Sequence, residues 1–352
     1  MASRDLSVDC LKAAAIAAVV AIHVPYGSHV ADPSLRFCVP VFIGLWGYFA
    51  EASARRHPDR PLATYVRDRF VQLFIPYAVW SVVYFLIGPR LKEWNTTPIH
   101  TIVGGWLGGG LWAGQYFFII MFQLLLLFPM LRGSMPEAAG GLWLWGGLGV
   151  FAMFELWLVR IRPLALVWDR LPVQWLPYAA LGVAVARGWR PPFVLSRSAW
   201  TGAGVALLAV APFEQALLER LGPIRSPYCL MTVYLGSLAL LAAALVGHGG
   251  ASPAGAASRD DHGRPSDASG SEAGAFVSEV FEGIAFIGRR TLPIFVLNPL
   301  VIMGLSNLGI EMPTQGLGPQ ALHGAAVILV IALCIAAIPV FKTLKLGPAI
   351  GT

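Results

Sequence analysis

Charge is what this chain has least of. Only 12% of its 352 residues are Asp, Glu, Lys or Arg, about half the share usual in a soluble domain. That scarcity excludes a large solvated surface. With 57% hydrophobic residues and a mean hydropathy of +0.67, a bilayer is the surrounding that suits it. Cysteine is scarce as well. Cys10, Cys38, Cys229 and Cys334 are scattered, without C-x-x-C or metal-ligand spacing, so they are read as small apolar filler and no metal site is expected. No internal repeat of the kind that marks an inverted-repeat transporter is visible. The net charge of +6 and pI near 9.3 point to basic loops beside anionic headgroups, and not to a nucleic-acid partner.

What is present is a succession of apolar runs of the roughly 17–25 residues that a spanning helix needs. They fall at 8–27, 37–52, 70–88, 112–131, 141–158, 173–187, 199–215, 228–247, 291–307 and 323–341. The expected fold is therefore all-α, a polytopic membrane bundle of about ten helices forming one domain over 1–352. No A-x-A cleavage site follows the first run and another apolar run comes soon after, so it is read as a span and not a signal peptide. The segment 53-SARRHPDRPLATYVRDR-69 carries five arginines and belongs in the cytoplasm by the positive-inside rule. Alternation from there places both termini in the cytoplasm, Lys342 and Lys345 included, in a multi-pass protein of the cell membrane (the plasma membrane of a bacterium).

Between the runs, 248–275 is rich in Gly, Ala, Ser, Pro and Asp and is expected to be a disordered cytoplasmic linker. The amphipathic 276–290 is expected on the inner membrane surface. The Gly-rich 104–114 reads as a loop or a partly re-entrant piece, and the sequon at Asn95 faces outward.

The first run holds two polar residues, Lys12 and His23. At about 100° per residue their separation comes to three turns plus about 20°, so they share one helical face, about 16 Å apart along the axis. The residues between them are mostly small, which allows close packing or leaves room for a slender ligand. Lys12 snorkelling to the headgroups and His23 as a satisfied structural histidine are the plain alternatives. Against them, ionisable residues inside a membrane face cavities or partners, and imidazole suits proton transfer near neutral pH.

A basic residue, ten residues and a histidine in the first span resemble the acyltransferase-3 family of membrane O-acyltransferases, whose pattern is Arg-x10-His. Further landmarks follow in the family's order: 34-SLRFCVPVFIGLWGYF-49, 67-RDRFVQLFIPYAVWSVVYF-85, 111-LWAGQYFFIIMFQLLLLFPML-131 and 288-GRRTLPIFVLNPLV-301. The chain departs from the pattern at Lys12 in place of arginine, at Trp46 in place of serine and at Asn298 in place of a late histidine. His23 is retained.

The resemblance implies acyl transfer from cytoplasmic acyl-CoA, acetyl-CoA first, to a hydroxyl of a carbohydrate or lipid-linked acceptor of the cell envelope, with no permanently bound cofactor. Arg67 and Arg69 are the candidates for the CoA phosphates, since arginine suits phosphate best, and Lys12 for the start of the pantetheine arm. His23 is the candidate general base on the acceptor hydroxyl, or a nucleophile that is itself acylated. Arg36 is a candidate to orient the acceptor or hold the oxyanion, with a headgroup contact as the alternative. Asn298 joins it, with an interhelical hydrogen bond as the alternative. Gln115 and Gln123 read as interhelical contacts, Glu155 as a partner of Arg160, and His29, His100 and His323 as loop residues on the outer side. The competing reading is a transporter or exporter of a glycan or lipid-linked intermediate.

Overall fold

The computed structural model describes residues 6–24, 32–87, 112, 114–134, 147, 150–151, 170–190, 195–222, 227–245, 272–308 and 318–352. All regular structure among them is helical. The helices are α1 (Leu6–His23), α2 (Asp32–Leu35), α3 (Cys38–Arg56), α4 (Leu62–Ile87), α5 (Gln115–Ser134), α6 (Leu176–Ala186), α7 (Arg197–Glu219), α8 (Met231–Leu245), α9 (Glu272–Gly288), α10 (Thr291–Asn307) and α11 (Gly318–Thr343). Six stretches are long and apolar enough to cross a bilayer: α1, α2 with α3, α4, α5, α7 and α11. The helices α6, α8 and α10 are apolar but shorter. The polytopic helical bundle expected from the sequence is thus the fold, and nine of the ten expected runs coincide with helices. Most of the tenth, 141–158, lies outside the described residues, as do most of 104–114, Asn95, and the expected linker up to 271.

Three boundaries differ from expectation. Helix α4 begins at Leu62, directly after Pro61, whose carbonyl accepts the amides of Thr64 and Tyr65. Arg67 and Arg69 therefore ride on the first turns of a helix and not in a loop, because hydropathy marks the bilayer portion of a helix and not its solvated end. Similarly, His323, expected in a loop, lies on α11. Helix α9 starts at Glu272, four residues inside the stretch expected as linker.

Helix α1 is the hub, packing against α2, α3, α8, α9, α10 and α11. Its small residues permit this: Ala13, Ala15, Ala18 and the neighbouring Ile16, Val19 and Val20 are all buried. At its start α9 comes so close that a Cβ on Gly288 would meet the carbonyl of Asp9. The crossing of α3 and α6 is equally tight, since side chains at Gly47 and Gly182 would strike the carbonyls of Ala179 and Gly44. Residues Pro177 to Val185 of α6 are buried without exception, which explains a helix that is hydrophobic all round.

Buried polar groups join these elements. Glu51 on α3, 2% exposed, accepts from Arg187 Nε just after α6 at 3.0 Å and from Arg132 Nε on α5 at 3.1 Å. Arg187 also donates to the Arg132 carbonyl at 2.8 Å. In α10, Pro299 removes one amide, and the Tyr84 hydroxyl of α4 inserts at that point. It donates to the Val296 carbonyl at 2.7 Å and accepts the Leu300 amide at 3.0 Å, taking the place of a helical hydrogen bond. The carboxylate of Glu214 on α7 accepts the Met231 and Thr232 amides at 2.8 Å each, capping the start of α8.

Removing the Glu51 carboxylate leaves two guanidinium groups facing one another in the bundle. Glu51→Ala is expected to cost about 3 kcal/mol, as for a broken buried ion pair, read as a clear fall in the midpoint of thermal unfolding in detergent. An unchanged midpoint would show that the triad does not hold α3, α5 and α6 together.

Candidate active site

The end of α1 places His23 opposite the turn that joins α2 to α3. There His23, Arg36, Cys38, Tyr116, Tyr228 and Phe295 surround a small cavity of about 10 Å³, room for about one water. The residues come from α1, from the α2–α3 turn, from α5, from the 3-10 turn Pro227–Cys229 and from α10. Gly114 also lines it, at φ +87°, where a Cβ would meet the Phe295 ring at 2.8 Å. Glycine is therefore what lets the start of α5 approach this cavity.

Arg36 brings a guanidinium to the wall of this cavity, its side chain 19% exposed. Its Nη2 donates to Asp32 Oδ2 at 2.7 Å, an i,i+4 pair across the α2–α3 turn. Its guanidinium lies 5.5 Å from the centroid of the Tyr228 ring, within cation–π range. The Tyr228 hydroxyl in turn shares a hydrogen bond of 2.7 Å with that of Tyr116. Among the described residues, the buried Arg36 Nε and Asp32 Oδ1 have no hydrogen-bond partner. Of the two, Arg36 lines the cavity together with His23. Asp32, Cys38, Tyr116 and Tyr228 did not stand out in the sequence. The signal for Asp32 was its i,i+4 spacing to Arg36; Cys38, next but one to Arg36, was read as apolar filler, and Tyr116 and Tyr228 come from distant segments and left none.

Lys12 lies toward the other end of α1. Its Nζ pairs with Asp9 Oδ1 at 3.2 Å and sits 4.8 Å from the centroid of the Phe49 ring. Ile16 and Val19, which stand between Lys12 and His23 on the shared face, are buried. Phe49 borders a second cavity, of about 610 Å³, with Trp46, Tyr65, Arg69, Gln72 and Thr352 also on its walls. Arg69 donates to Gln72 Oε1 at 2.7 Å, and its guanidinium is 5.6 Å from the Tyr65 ring centroid. Arg67 is turned to the outside, 74% exposed and paired with Asp68 at 3.2 Å. Arg69 thus lines this cavity, whereas Lys12 is linked to it only through the Phe49 ring and Arg67 is not on its wall.

Asn298 does not line the His23 cavity. It is buried one turn along α10 from Phe295, with Nδ2 donating to the Phe295 carbonyl at 2.7 Å, and its Oδ1 has no partner among the described residues. Gln115 donates to Ser81 Oγ at 2.8 Å and Gln123 to the Arg170 carbonyl at 2.9 Å, both between elements as expected. Among the described residues no group of three His, Cys, Asp or Glu is arranged to hold a metal, and none of the four cysteines is in a disulfide. His29, His100, Glu155 and Arg160 lie outside the described residues.

A family model described as an acyltransferase domain, of the acyltransferase 3 type, matches residues 5–340. The chain belongs to the acyltransferase 3 family. Comparisons with curated proteins and with solved structures give no match. Membership extends over nearly the whole chain, from the start of α1 to the last turns of α11, and takes in the whole His23 cavity and the Arg69 cavity except its wall at Pro348, Gly351 and Thr352. Together with its spans, this makes the protein a multi-pass membrane acyltransferase, and it decides between the enzyme and exporter readings in favour of the enzyme.

In this acyltransferase, losing one member of the Asp32–Arg36 pair strands the other. Arg36→Met is expected to destabilise by about 2 kcal/mol, the scale of a charge-assisted hydrogen bond, and Asp32→Asn in the same chain is expected to restore part of the loss. Thermal unfolding of the two single variants and the double variant checks this. Strictly additive losses would mean that the pair is not coupled.

Proposed function

We propose that the protein moves an acyl group, acetyl first, from acyl-CoA to a hydroxyl of a carbohydrate or lipid-linked acceptor, with His23 as the general base. The observation that carries the reading is that His23 and Arg36 line one cavity at one end of α1, while toward the other end Arg69 lines a second, bordered by the Phe49 ring on which Lys12 sits. A nucleotide phosphate suits Arg69 on the wall of that cavity, and about 16 Å of helix separates Lys12 from His23, a distance suited to an extended pantetheine arm. By the positive-inside rule the Arg-rich end of the bundle faces the cytoplasm, where acyl-CoA is made.

The chemistry then falls to this chain's residues. The His23 imidazole takes the proton of the acceptor hydroxyl as its oxygen bonds to the thioester carbon. The carbonyl oxygen becomes negative, and the free N–H of Arg36 stabilises it. Asp32 holds that guanidinium by its other edge and leaves Oδ1 to orient the acceptor. When the carbon–sulfur bond breaks, the thiolate leaves as CoA and the proton on His23 is released to it. The room beside His23, about that of one water, favours the smallest acyl group. Arg69 lines the donor cavity directly, and Arg67 adds long-range charge at its rim. Asn298, the remaining sequence candidate, is a positioning residue behind Phe295.

Two measurements test this. Inverted membrane vesicles supplied with radiolabelled acetyl-CoA and crude envelope acceptors are expected to release CoA, and His23→Ala at matched expression to reduce release by about 10²–10⁴-fold, the usual share of general-base catalysis. Release independent of His23 contradicts the assignment. Arg69→Gln is expected to raise the KM for acetyl-CoA about tenfold with kcat little changed, the pattern of lost uniform binding. A fall in kcat at unchanged KM would move Arg69 out of the donor site.

A further inference from the structure

A larger cavity has no part in the chemistry above. It is an apolar groove of about 940 Å³ between α1, α7 and α8, with Phe281 of α9 beside one end. On α1 it is lined by Ser7, Cys10, Leu11 and Ala14, a stripe at helical spacing on the side of α1 away from Lys12. Helix α7, which forms its outer wall, buries only Gly204, Leu208 and Ala211, so the groove lies at the lipid-facing boundary of the bundle. Its walls are almost wholly apolar, and at its end stands one charged residue, Arg197. Arg197 Nη1 donates to Ser7 Oγ at 2.7 Å, and no carboxylate among the described residues pairs with it. From Arg197 to Ala209 the wall rises about 18 Å, close to the roughly 15 Å that one leaflet contributes to a 30 Å hydrocarbon core.

We propose that this groove is a binding site for one acyl tail of an anionic membrane phospholipid, with the phosphate held by Arg197. Shape and charge select this occupant together. A protein helix, about 10 Å across with its side chains, would need a trough without a cation at its end. A zwitterionic lipid would leave its positive head beside the guanidinium, whereas a lipid of net negative charge completes the pair. The far end of the groove is lined by Ser34 and Phe37 of the α2–α3 turn, so a tail that fills it packs against the neighbour of Arg36. This site is independent of the acyl-transfer reading, because none of its lining residues lines the His23 or Arg69 cavity.

Native mass spectrometry of the full chain, titrated in detergent with phosphatidylglycerol or with phosphatidylcholine of the same tails, tests the proposal. The expected result is about tenfold tighter binding of phosphatidylglycerol. Arg197→Gln is expected to abolish that preference, and Val205→Trp or Ala209→Trp to weaken both lipids by filling the groove. Both groove positions are exposed, so neither substitution disturbs the core. Equal binding of the two lipids by the wild type, or lipid adducts unaffected by the tryptophans, would overturn the proposal. A dimer mass in place of lipid adducts would also overturn it, by assigning the groove to a second copy of the chain.

Discussion

Glu51 lies in a bundle that excludes water, and its two oxygens are divided between Arg187 and Arg132. A polar group in a bilayer must find its partner within the protein, and that requirement recurs wherever these helices meet. Tyr84 completes the backbone of α10 where Pro299 interrupts it. Trp80 donates to the Ala349 carbonyl at 2.8 Å and ties the C-terminal turn to α4. Gln115 meets Ser81 where α5 crosses α4. Apolar contact alone discriminates poorly between helices already surrounded by hydrocarbon. Polar groups with one available partner, and glycines that admit one neighbour, specify the arrangement.

The same constraint builds the reactive end. Arg36 stays inside because Asp32 pairs with it and Tyr228 presents an aromatic face. Among the described residues, Arg36 Nε and Asp32 Oδ1 at this end have no hydrogen-bond partner. An orphaned donor and acceptor are costly in a structural core and useful where a substrate supplies the missing partners. Helix α1, against which most other helices pack, carries His23 at this end and Lys12, beside Phe49 of the Arg69 cavity, toward the other. A donor and an acceptor arriving from opposite sides of a membrane would meet along it.

Much of this was legible in the sequence, and the reasons for the gaps are physical. Apolar runs located nine helices because hydrocarbon burial dictates their composition directly. Lys12 and His23 were legible because charge inside an apolar run is rare. Hydropathy gave no warning that α4 starts at Leu62, since a helix continues past the headgroups wherever its backbone remains satisfied. Glu51 falls at the end of the second run, 37–52, and nothing local indicates that Arg132 and Arg187 converge on it. Tyr116 and Tyr228 stand 112 positions apart, and a helical period reports a buried face without naming what covers it. Lys12 was considered for headgroup snorkelling and for the pantetheine arm, and its pairing with Asp9 at i,i+3 was open to inspection.

The central claim is directional: the donor enters at the Arg69 end of α1 and transfer occurs at the His23 end. Sealed vesicles prepared in both orientations, with acetyl-CoA supplied only from outside and orientation scored by protease access to the turn between α3 and α4, test it most directly. The account predicts CoA release only from vesicles that expose that turn, with the acyl label appearing on acceptors enclosed in the lumen. Equal release from both orientations, or label confined to the side of addition, would contradict it.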